Sequence, residues 1–235
     1  IQPIAIQITK LRFFISLVCD QKTNRNKKDN HGIRPLPNLE TKFVAADTLI
    51  GLPEMTQSVL VDPRVGLIEK KIESLYHSHF SEQNRTKKLA NQRKVKALRQ
   101  ELGKLLAESL IAPKKAQHIA EWDAFDPQST ADFFDPHWMF GRSLAKGFDV
   151  VIGNPPYVSF YSRHSHGVDA AYLARLTSQA SFTEEPLAGK RFHTAMFFLD
   201  RAVHLSAADG VVAYIVDMNL FEKVFAGVRQ FLLKN

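Results

Sequence analysis

The chain has 235 residues, 45% of them hydrophobic and 23% charged, which excludes a disordered, collagen-like or low-complexity protein. Lys and Arg outnumber Asp and Glu by 31 to 24, a balance of +7 that favours a polyanionic partner. No apolar run approaches the roughly 18 residues of a membrane span, so no membrane partner is expected. The one cysteine, Cys19, excludes an internal disulfide and a cysteine-rich zinc site and fits a reducing, cytoplasmic setting. The chain opens on Ile1 without a signal-peptide pattern, and reads as a piece of a longer protein.

Ile4, Ile8, Leu11, Ile15 and Val18 recur at helical spacing and predict a helix over residues 3–19, with Pro3 in its first turn. A Lys-, Asn- and Asp-rich loop follows, ending in Pro35-Leu36-Pro37. The short apolar run Phe43 to Ala46 reads as a buried strand that stops at Asp47. From Val65 to about Leu110 two helices are predicted as an antiparallel hairpin. Val65, Ile68, Ile72 and Leu75 line the first, and Val95, Leu98, Leu102 and Leu105 the second. Between Arg85 and Lys104 stand eight basic residues and one acidic residue. They read either as a solvated outer face or as a phosphate-contacting arm, with Arg93, Lys94, Lys96 and Arg99 the candidate contacts.

Residues 121–147 carry paired aromatics and Asp-Pro steps, an irregular connector packed by its rings. Phe148 to Gly153 is predicted as a strand running into Asn154-Pro155-Pro156-Tyr157. A helix over 192–205, a turn at Asp209-Gly210, a strand over 211–216 buried on both faces and a final helix over 220–233 follow. Strands alternating with helices around a long insertion predict a doubly wound α/β fold. His77 and His79, two apart on a helix, cannot face one metal, and His164 and His166 sit in a polar loop; no metal site is expected.

Two consecutive prolines continue neither a central strand nor a helix, so they fix a rigid turn at the strand's carboxyl end, where open α/β sheets bind ligands. Asn154 offers its side-chain carbonyl, Pro155 its backbone carbonyl, and Tyr157 a flat face. Two convergent acceptors suit an amine with two N–H bonds. Accepting both hydrogens from the exocyclic amine of adenine returns electron density to the nitrogen, which can then attack an electrophilic methyl. Tyr157 can stack on a base rotated out of the duplex.

Asn154-Pro155-Pro156-Tyr157 after an apolar strand resembles the NPPY motif of S-adenosylmethionine-dependent amino-methyltransferases. Ile1-Gln2-Pro3-Ile4-Ala5, Pro37-Asn38-Leu39, Ala45-Ala46-Asp47-Thr48-Leu49, Asn219-Leu220-Phe221 and Val228 to Leu233 extend the likeness over nearly the whole chain. Within that group the chain is most similar to the adenine methylase part of type IIG restriction–modification enzymes and to the PglX-like methylases of BREX phage defence.

The resemblance implies an α/β, Rossmann-like class I methyltransferase sheet, present in part, with a helical-hairpin insertion. It implies a first core part over 1–62, the insertion over 63–120, the connector over 121–147 and a core part with the motif over 148–235. Asn154, Pro155, Pro156 and Tyr157 would be catalytic. Ile1, Asp47 and Asn154 would bind S-adenosyl-L-methionine. The partner would be double-stranded DNA. The glycine-rich cofactor motif, the first two strands, a target-recognition domain and any fused nuclease would lie outside this chain. Alternatives are an NPPY methyltransferase acting on protein glutamine or RNA, and a non-catalytic DNA-binding remnant; a glycine-rich strand–loop upstream would separate enzyme from remnant.

Overall fold

The computed structural model describes residues 2–52, 62–108, 113–161, 170–182, 191–218 and 225–234. The chain divides into two compact units, residues 1–47 with 52–142, and residues 48–51 with 143–235.

The first unit is helical. Helix α1, Pro3–Cys19, forms where the periodicity predicts it, with proline at its first turn. Its apolar stripe is exposed, however, and none of its described residues is buried. The run Phe43 to Ala46 is extended but is not the strand the sequence predicts. Among the described residues it makes one parallel bridge, Ala46 to Ala131, closed by Ala131 N–H to Ala45 O and Asp47 N–H to Ala131 O, both 2.9 Å.

Helices α2, Pro63–Ser81, and α3, Arg85–Glu108, form the predicted hairpin. Asp62 caps α2 by accepting from Arg64 N–H at 2.8 Å. Asn38 serves its other end, its side-chain amide donating to the carbonyls of His79 at 2.6 Å and Glu82 at 2.7 Å. A further helix, α4, Pro113–Glu121, packs on α3. The approach is close: a Cβ at Gly103 would lie 2.4 Å from that of Ala120, so only glycine fits there. The connector is built from aspartate turns. Asp123 and Asp126 accept from Phe125 and Gln128 N–H, both at 2.9 Å, and Asp135 caps the short helix α5, Pro136–Phe140.

Arg99 corrects the sequence reading. It is not one of the outward cations but lies buried, 3% exposed, in the helical core. Its guanidinium donates to Tyr76 Oη at 2.9 Å, Trp138 O at 3.0 Å and Ile119 O at 3.1 Å, and lies 4.5 Å over the Trp122 ring. It falls on the buried face because four residues separate it from Val95. Three carbonyl or hydroxyl acceptors replace the water that an arginine loses on burial.

Among its described residues the second unit holds two small sheets. β1, Phe148–Gly153, and β2, Ser159–Tyr161, are followed by helix α6, Ala170–Gln179. Then come β3, Arg191–His193, helix α7, Thr194–Leu205, β4, Ser206–Tyr214, and helix α8, Ala226–Leu232. β1 pairs in parallel with β4, and β2 antiparallel with β3. Residues 48–51 join this unit, where Arg201 Nε donates to Thr48 O at 3.1 Å and Gln179 brackets the backbone of Gly51. This is an α/β unit with a two-stranded parallel sheet.

Two expectations change here. Asp209-Gly210 is not a turn but lies within β4, where the register slips: Phe148 pairs with Ser206 but Val150 with Val211. β4 is also not buried on both faces. Helix α7 packs on one side of the sheet, while Val150, Ile152 and Val211, at 54, 79 and 59% exposure, face outward on the other. The final helix is described over Ala226–Leu232, its predicted first turn lying outside the described residues. Among the described residues no helix is long and apolar enough to cross a membrane.

The buried Arg99 sets a stability expectation. Arg99→Met strands three acceptors and is expected to cost about 2–4 kcal/mol in urea unfolding. Arg93→Gln, on an exposed position, is expected to cost less than about 0.5 kcal/mol.

His79 sets a pH dependence. The ring is fully buried against Phe125, its Nε2 3.5 Å from Glu40, and burial lowers its pKa from the ordinary 6.5 despite the pull of that carboxylate. The folded state therefore binds fewer protons than the unfolded one. Stability is full above about 6.5 and is lost as pH falls through that value toward the folded pKa. His79→Phe is expected to flatten the fall in unfolding midpoint between about pH 7.5 and 5.5.

Candidate functional site

The site is the turn that leaves β1. Val150, Val151 and Ile152 are β-branched and favour the strand. Gly153 ends it where the Tyr214 ring comes close: a Cβ there would meet Cε1 at 2.7 Å. Ile215 N–H donates to Gly153 O at 3.1 Å, so the pairing continues to the last residue of β1, where the turn begins. Because the strands are parallel, both carboxyl ends emerge side by side.

Asn154 and Pro156 are exposed and Pro155 is buried. The Tyr157 hydroxyl lies 2.7 Å from Ile215 O and 3.3 Å from Asn154 Oδ1. A phenol has one proton, and the shorter contact takes it. Tyr157 is thereby anchored to the end of β4, while Asn154 Oδ1 keeps its acceptor capacity for an incoming N–H. Tyr157 is 43% exposed. Behind it the His193 ring lies at 6.2 Å between centroids, itself edge-on to Phe225 at 6.0 Å. Beside the turn is a small cavity between His193, Met196, Val216, Asp217 and Phe225.

The far side of the turn is tied to the start of α7. The Thr194 hydroxyl donates to Pro156 O and accepts from Val158 N–H at 3.2 Å, and Thr194 N–H donates to Val158 O at 3.0 Å. The pairing of β2 with β3, Ser159 opposite His193, carries this attachment onward. Thr194 and Ile215 do not stand out in the sequence. A hydroxyl residue opening a helix and an apolar residue closing a strand are ordinary at such positions.

The structure thus brings Asn154, Pro155, Pro156 and Tyr157 together in one turn of the second unit. Asp47 belongs to the first unit, half-buried at the end of the extended run and held by its own N–H to Ala131 O. Ile1 lies outside the described residues. Arg93, Lys94 and Lys96 are exposed on α3, and Arg99 is not among them. Among the described residues no group of three or more His, Cys, Asp or Glu side chains could hold a metal ion.

No curated protein and no solved structure matches the chain. A match to the Eco57I restriction-modification methylase family runs over residues 1–235. An α/β unit with a parallel strand pair is compatible with that match, and the chain belongs to the Eco57I restriction-modification methylase family.

Proposed function

We propose that this methylase transfers a methyl group from S-adenosyl-L-methionine to the exocyclic amine of adenine in double-stranded DNA. The setting we propose is restriction–modification or phage defence of the type IIG or PglX-like kind. The observation that carries this reading is the turn itself. Asn154 Oδ1 stands at a strand end with acceptor capacity to spare, 3.3 Å from the hydroxyl of the exposed Tyr157, whose proton goes to Ile215 O.

Each residue then has a task. Asn154 and Pro155 accept the two amine hydrogens and hold the nitrogen lone pair toward the methyl. Tyr157 stacks on the extruded base, an interaction worth about 1–3 kcal/mol. Asp47, a half-buried carboxylate at the end of an extended run, has the acceptor chemistry to bind the adenine amine of the cofactor. The bound cofactor supplies the electrophilic methyl. Because the turn is rigid beforehand, little reorganisation remains when charge develops on the nitrogen.

In the full-length enzyme, Asn154→Ala is expected to lower tritium transfer from labelled cofactor to duplex DNA by about 10²–10³, with cofactor affinity kept. Near-normal turnover by that variant would overturn the reading.

The exposed face of α3 is proposed as a sequence-independent DNA contact. Glutamine at Arg93, Lys94 and Lys96 together is expected to flatten the log–log salt dependence of DNA binding by about 0.9 per lost phosphate contact. An unchanged slope would make this a solvated face only.

A further inference from the structure

We infer that Thr194 is a positioning residue for methyl transfer, holding the Asn154–Tyr157 turn in its productive orientation from the side opposite Ile215. The inference rests on the proposed role of that turn.

A turn built on two prolines has few handles. Neither Pro155 nor Pro156 has an N–H, so the middle of the turn can be tied down only through its carbonyls, and the rest through Asn154 and Tyr157 or beyond them. Tyr157 uses its hydroxyl on Ile215 O, which fixes one side to β4. On the other side Thr194 makes three bonds. Its hydroxyl gives its one proton to Pro156 O and accepts from Val158 N–H, and its backbone N–H reaches Val158 O. A hydroxyl can donate and accept at once, and valine of the same shape can do neither. The backbone bond is also favourable for the helix, since an N–H in the first turn of a helix has no partner within it.

The pillar behind Thr194 is firm. Ala195, Met196, Phe197, Leu199, Ala202 and Leu205 of α7 are buried. Movement of the turn away from Thr194 would therefore be movement of the turn, not of the helix. Asn154 is two residues from Pro156, and a displacement there of about 1 Å is enough to cost on the order of 10²-fold in rate. The loss would fall mainly on the chemical step, because the bonds Thr194 makes go to the turn that holds the target amine.

The test uses the full-length enzyme with a duplex carrying its recognition site. Thr194→Val removes both hydroxyl bonds at constant shape, and Thr194→Ser keeps them. Thr194→Ala provides a second removal should the valine variant fold poorly. The expected result is a fall of about 10–100-fold in single-turnover methyl transfer for Thr194→Val or Thr194→Ala. Cofactor dissociation constant and thermal midpoint should stay near wild type, with most of the rate recovered in Thr194→Ser. Wild-type rates in the valine and alanine variants would overturn the inference, as would an equal loss in Thr194→Ser or a loss matched by a lowered thermal midpoint. Asn154→Ala, run alongside, separates the two claims. If it is inactive while Thr194→Val is fully active, only the role of Thr194 falls; if it is fully active, the reading of the turn falls first.

Discussion

Parallel pairing of β1 with β4 is the constraint on which the candidate site depends. Parallel strands end on the same side, so the turn after Gly153 and the residues after Tyr214 emerge as neighbours. From that follows the contact between Tyr157 and Ile215 O, and from it the acceptor left open on Asn154. An antiparallel partner would have put the end of β4 at the other end of β1. The Pro-Pro turn would then have nothing but α7 to hold it.

The helical unit is organised by a buried cation. Arg99 draws Tyr76 of α2, Ile119 of α4 and Trp138 of α5 onto one guanidinium, with Trp122 beneath it. Planar donors in a fixed fork suit several acceptors arriving from different directions. The arrangement divides the basic character of α3 in two: one arginine organises the core, and Arg93, Lys94 and Lys96 remain outside. Gly103 adds to the same packing by letting α4 come close.

Apolar surface is distributed unevenly. One face of the β1–β4 sheet lies against α7, while Val150, Ile152, Val211 and Ile215 are exposed. The stripe of α1, from Ile4 to Val18, is exposed as well. Burying such faces is the usual driving force for a doubly wound fold. Within each unit as described, that force acts on the α2–α3–α4 contacts and on α7 rather than on these surfaces.

Local pattern was enough for several features, because their physics is local. Helical periodicity located α1 to α3, and β-branched residues located β1. Two prolines after a strand marked the turn, since their missing N–H groups and fixed φ act wherever they occur. What depended on partners far along the chain was not legible. Whether Phe43 to Ala46 becomes a strand depends on what lies beside it, and the bridge it makes among the described residues is the isolated one to Ala131. Whether a basic residue is solvated or buried depends on which acceptors surround it, and the sequence around Arg99 looks like that around Arg93. The turn's chemistry was readable in Asn154 and Tyr157, but its anchoring was not. Ile215 lies 58 residues from Tyr157, and Thr194 lies 38 from Pro156. Only the folded chain brings a carbonyl and a hydroxyl from those distances to a turn whose two central residues have no backbone donor.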